Sequence, residues 1–94
     1  MEVTLSTIVI TYRIVNAVKK YKPDIDLSGF CIVEDGTLPL NRMENMMSLD
    51  FESLIDKEPV QLRETFDGYR ILNGRHRIAR AIIEGRISIK AKTS

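Results

Sequence analysis

The chain has one cysteine and one histidine in 94 residues. A single cysteine excludes an internal disulfide and suits a reducing, cytoplasmic compartment. One residue of each type cannot supply the ligand cluster of a zinc site, so no metal ligands are assigned. No apolar run approaches a membrane span and no secretory signal is visible, so no membrane partner is expected. Internal repeats, low-complexity tracts and Ser/Gly-rich linkers are missing too, which leaves a single domain over 1–94 with a small core. Acid is scarce toward the C-terminus. From Tyr69 onward, Arg70, Arg75, Arg77, Arg80, Arg86, Lys90 and Lys92 face one acid, Glu84, for a net +6, whereas 1–68 carries −5. A basic third of this kind favours a nucleotide or nucleic acid, unless the two parts neutralise each other in the fold.

What is present centres on 69–85. Tyr69 and Ile71, with Asn73 next in the series, alternate with Arg70 and Leu72, as an extended segment does. Gly74 permits positive φ and close approach to the backbone. Ile78, Ala81 and Ile82 then recur at helical spacing, and Gly85 marks the stop. The pattern is strand, tight turn, helix, with Asn73, Gly74, Arg75, His76 and Arg77 at the junction. Free amides at a helix start, its dipole and cationic side chains together favour an anion, above all phosphate. Arg75 and Arg77 can each donate paired N–H bonds, and His76 adds a donor that titrates near neutrality. Arg80 sits at the right spacing to pair with Glu84.

Upstream, Glu2 to Leu5 reads as a short strand. A helix is expected from a Ser6 or Thr7 cap to about Tyr21, with Ile8, Tyr12, Val15 and Val18 on one stripe and Lys19, Lys20 and Lys22 as a solvated end. The β-branched run 7–11 competes for strand. Asp24 to Gly29 is a loop by composition. Phe30 to Glu34 is a strand with Cys31 as a buried small hydrophobe, Asp35-Gly36 is a hairpin signal, and Thr37 to Leu40 is the returning strand. Asn41 to Ile55 reads as a helix, or a turn and a helix, filled by methionines. Segments 58–66 and 69–73 form two strands around Asp67-Gly68. This order suits an α+β domain with a small mixed sheet and flanking helices.

Asn73-Gly74-Arg75-His76-Arg77 resembles the phosphate-binding turn of the ParB/sulfiredoxin superfamily, whose members carry variants such as Gly-Glu-Arg-Arg, Gly-Cys-His-Arg and Asp-Gly-His-His-Arg. Glu58-Pro59-Val60-Gln61-Leu62 is similar to the Pro-Ile-x-Val strand that precedes this turn, and 86–91 is similar to the closing strand. The resemblance implies a ParB/sulfiredoxin-like core over 38–94, with 1–37 as an N-terminal extension of uncertain assignment. It implies a nucleoside triphosphate, ATP or CTP, with Mg²⁺. In the family the helix before the Pro-x-Val strand borders the nucleotide pocket, which makes Asp50 and Glu52 the candidate catalytic or metal-contacting acids. Three departures narrow the expectation. Arg75 occupies the position of sulfiredoxin's cysteine, and Cys31 does not match the motif, so sulfinic acid reduction is not expected. Asn73 stands where the free serine kinases carry Asp, and a neutral amide is no base. Arg75 stands where ParB has Glu, and 94 residues leave no helix-turn-helix or dimerisation region, so partition activity is not expected. The cradle of Gly74, His76 and Arg77 is what carries over.

Three functions follow as expectations. The first is a nucleotide-phosphate-binding domain, with NTPase or phosphotransferase chemistry as its extension. The second is a nucleic-acid-binding or nuclease-like domain whose turn grips DNA or RNA phosphates. The third is a non-catalytic interaction protein that keeps the fold.

Overall fold

The structure, a computed structural model, describes residues 1–34 and 58–93. Along the chain come β1 (Glu2–Thr4), a 3-10 turn (Leu5–Thr7), β2 (Ile10–Thr11), α1 (Tyr12–Tyr21), β3 (Ile32–Val33), β4 (Val60–Thr65), β5 (Gly68–Asn73), α2 (Arg75–Ile83) and β6 (Ser88–Thr93). Four strands make one mixed sheet in the order β1-β6-β4-β5, and β2 pairs in parallel with β3. β4 and β5 form an antiparallel hairpin, α2 crosses back, and β6 then runs parallel to β4 on its other side. β1 closes that edge antiparallel to β6. The protein is thus a small α+β fold.

Period-two alternation gives the sheet two unlike faces. Val3, Val60, Leu62, Ile89 and Ala91 are buried and join one core with Ile14, Val15, Ala17 and Val18 of α1 and Ile78, Ala81 and Ile82 of α2. Residues 1–34 therefore belong to the same core as 58–93. Gln61, Arg63, Lys90 and Lys92 point the other way and are exposed. Helix α2 lies in the middle of the packing, with Arg77 through Ile83 all buried. Its end is a Schellman closure: Arg86 N–H donates to Ala81 O at 3.0 Å and Gly85 N–H to Ile82 O at 3.0 Å, with Gly85 at φ 74°.

Several local expectations shift. Helix α1 begins at Tyr12, because Thr11 is its cap and accepts from Ile14 N–H at 3.4 Å. The β-branched residues before it are extended instead, tied by Val9 N–H to Tyr69 O at 2.8 Å and Ile10 N–H to Cys31 O at 2.9 Å. Ile8 therefore leaves the helical stripe but stays fully buried in the core, Ile14 joins it there from the helix, and Tyr12 is half exposed. The lysine-loaded end of α1 is solvated as expected. Cys31 is exposed, not buried, since only Ile32 and Val33 of the apolar run pair as a strand. In the hairpin, Thr65 pairs with Gly68, so Phe66-Asp67 is the connection and Gly68 already lies in the strand. A register shift at Gln61/Leu62 breaks the alternation of β5 and sets Asn73 opposite outward Gln61, away from the face of Ile71. Asp35-Gly36, Thr37 to Leu40 and the helix over 41–55 lie outside the described residues.

The two faces predict opposite outcomes for neighbours in β4. Leu62→Ala empties a fully buried site and is expected to cost about 2–5 kcal/mol in urea unfolding. Arg63→Ala is expected to stay within about 0.5 kcal/mol of the parent.

Candidate functional site

β5 ends at Asn73, and one residue later the chain is helical. Gly74 makes this possible at φ 104°, ψ 25°, a left-handed conformation that costs an L side chain roughly 1–2 kcal/mol. It also lies directly on β4. A Cβ built there would sit 2.6 Å from Val60 Cγ1 and 2.9 Å from Val60 Cβ. The helix start is thereby pressed against the first residue of the central strand.

Among the described residues no side chain caps α2, and no acid lies in its first turn. The first bond of the helix runs from Ile78 N–H to Gly74 O at 3.0 Å, so the amides before it point out of the helix end. The positive end of the dipole adds to them. The structure brings Asn73, Gly74, Arg75, His76 and Arg77 together at this end. Arg75 and His76 are half-buried and Asn73 is exposed.

Arg77 is the unusual member. It is only 7% exposed. Its side chain folds back over the turn, with Nη2 3.1 Å from the position a Gly74 Cβ would take. Its Nη1 is buried with no hydrogen-bond partner among the described residues. Burial pushes the guanidinium below the ordinary arginine range, and the attraction of Glu58 opposes that only in part. An arginine does not shed its proton in a protein. The cation is therefore retained beside the positive end of a helix, with donor capacity unused. Each of these features destabilises the ligand-free fold, and all three would be relieved by one anion.

Three other arginines have local acids. Arg80, also buried, pairs with Glu84 at 3.4 Å, as its spacing suggested, and Arg86 reaches Glu84 at 3.2 Å. Arg70 pairs with Asp67 at 2.7 Å. Asp67 is held below the usual carboxylate range, first by the Thr65 hydroxyl and then by Arg70. Part of the C-terminal positive charge is thus offset within the same third of the chain.

No family model, curated protein or solved structure matches the chain. The site's chemistry therefore rests on its own geometry. That geometry offers donors suited to a tetrahedral oxyanion: amides from the helix end, a buried guanidinium, and the half-buried Arg75 and His76 beside them. A divalent cation would accompany a triphosphate through the phosphates and one or two carboxylates. Among the described residues no group of three ligating side chains exists, and Asp50 and Glu52 lie outside them. Sequence reasoning missed Val60, which forms the floor beneath Gly74, a contact that no local pattern announces. Of the segment's acids Asp50, Glu52, Asp56 and Glu58, any one of which the sequence allowed near the turn, Glu58 is the one among the described residues, and it attracts Arg77.

Two measurements probe this geometry. Gly74→Ala should cost about 2–4 kcal/mol, from backbone strain and overpacking together. Val60→Ala in the same chain should relieve the packing part, giving a coupling of about 1 kcal/mol or more in a double-mutant cycle; strict additivity would show that the contact does not matter. Arg77→Met removes a buried, incompletely satisfied charge while keeping volume. The ligand-free variant should be as stable as the parent or more stable by about 1–3 kcal/mol, and a large loss would mean that Arg77 is structural.

Proposed function

We propose that the chain is a nucleotide-binding domain of the ParB/sulfiredoxin-like type that seats a phosphate on the Gly74 turn. The observation that carries the reading is the buried Arg77 whose Nη1, among the described residues, has no partner, at a start of α2 that none of them caps. Supporting it is the order of elements, a hairpin whose second strand runs through one left-handed glycine into a helix. In this arrangement the amides at the start of α2 bind phosphate oxygens, Arg77 donates from within, and Arg75 and His76 contact the rest of the phosphate chain. Asn73 borders the site from the strand side. ATP or CTP with Mg²⁺ is the ligand class. Hydrolysis or transfer would need a carboxylate at the phosphate, the role for which Asp50 and Glu52 are the candidates, so binding is the activity proposed. A non-catalytic interaction protein of the same fold would bind none of these ligands.

The test is thermal unfolding with inorganic phosphate, ATP and CTP, each with and without Mg²⁺. A ligand at 100-fold its Kd adds about 2.7 kcal/mol, which for a domain of this size raises Tm by roughly 10 °C or more. Arg77→Met should abolish the rise while remaining folded. Absence of a rise with every ligand overturns the reading.

A further inference from the structure

The sheet's second face meets the proposed phosphate site only at Asn73, and its charge is mainly positive, with Glu2 as an acid on it. Among the described residues, the helices cover the inner face. On the outer face, strand pairing places residues in rows. Lys92, Gln61 and Asn73 form one row across β6, β4 and β5. Arg63 and Arg70 stand directly opposite each other in the next row toward the hairpin tip. Lys90 lies two residues before Lys92, opposite Glu2 of β1. Like charges facing each other across an antiparallel pair are destabilising. Arg70 is drawn aside by Asp67 at 2.7 Å, and Arg63 is exposed beside it. Beyond this row, at the tip, Phe66 is fully exposed, at 103% of its reference area. Leu72, at the bulge, is 45% exposed. A shallow depression lined by Met1, Glu2, Pro59, Lys90, Ala91 and Lys92 continues the face at its other end.

We infer that this face binds single-stranded nucleic acid. Four cations, Arg63, Arg70, Lys90 and Lys92, are spread over a platform about 20 Å along β5 and about 10 Å across β6, β4 and β5. Spread cations suit a string of phosphates better than one compact ligand. Gln61 and Asn73, side by side, offer donors and acceptors to base edges. Phe66 presents a bare ring at the end of the run, where an unpaired base can stack. A duplex offers no such base, and an acidic protein has no use for the ring–amide–cation sequence. The surface shares only Asn73 with the Gly74 turn, and its cations and ring lie elsewhere, so the inference stands whether or not a nucleotide binds there.

Fluorescence anisotropy of a labelled 20-nucleotide single strand, titrated with the full chain, tests this. Binding should weaken with salt at a log–log slope of about −2 to −3, as expected for three or four cations on a single strand. Arg63→Gln with Lys92→Gln should weaken binding about tenfold or more at low salt and flatten the slope by about 1.4. Phe66→Ala should weaken it about tenfold with the slope unchanged. All three positions are exposed, and unchanged melting of each variant shows that the fold is intact. Absence of binding at low salt, unaltered affinity in the variants, or equal affinity for a duplex or for polyglutamate overturns the proposal.

Discussion

The contact between the Gly74 backbone and the Val60 side chain organises the functional end of this molecule. Val60 is fully buried and begins the central strand β4. Because Gly74 has no Cβ, the start of α2 can lie on that strand. A helix displaced by even the width of a methyl group could not keep the Arg77 guanidinium folded over the turn. The same displacement would lift Ile78, Ala81 and Ile82 away from the inner face of the sheet. Packing density and site geometry are therefore set by one close approach, and a core of this size leaves little to compensate for its loss.

Burial of Arg77 follows from that approach and is unfavourable by itself. Proteins usually match a buried cation with a carboxylate, as α2 does one turn later with Arg80 and Glu84. The two arginines share a helix and a burial class, so their difference is informative. Arg80 forms an ion pair with Glu84, whereas among the described residues Arg77 has only the attraction of Glu58, too weak to offset its burial. Local rules broken without a compensating gain inside the fold mark the positions where function is sought. A stability cost carried by the free protein and relieved by an anion is the thermodynamic form of a binding site.

Much of this was legible from residue order, for identifiable reasons. Gly74, Arg75, His76 and Arg77 stand out because strand periodicity, a lone glycine and helix periodicity abut within a few residues. Gly85 and the Arg80–Glu84 spacing declare a helix end and a pair by purely local chemistry. The failures have a common cause, which is that tertiary pairing overrides propensity. Ile8 to Ile10 could belong to a helix stripe or to a strand, and only the bonds to Tyr69 and Cys31 decide it. Cys31 looks like core filler until the strand around it proves to be two residues long. The bulge that turns Asn73 outward arises from register with Gln61, which no single segment encodes. Val60 as the floor of the site is a contact between residues 14 positions apart and carries no motif.

Asn73 links the two surfaces. It closes the outward row with Gln61 and Lys92, and it is the last strand residue before the Gly74 turn. Without the bulge, Asn73 would share the inner face with Ile71, where an unsatisfied amide is costly, and the outer row would stop short of the turn. The bulge thus makes the amide compatible with the fold and extends the polar face to the edge of the helix end. Arginine, lysine and amide groups on one side of the sheet, and a buried guanidinium at its end, are then continuous around a single strand terminus. With its acids concentrated before residue 69, the chain gathers basic side chains where β5 hands over to α2, and that placement, more than net charge, sets the local field there.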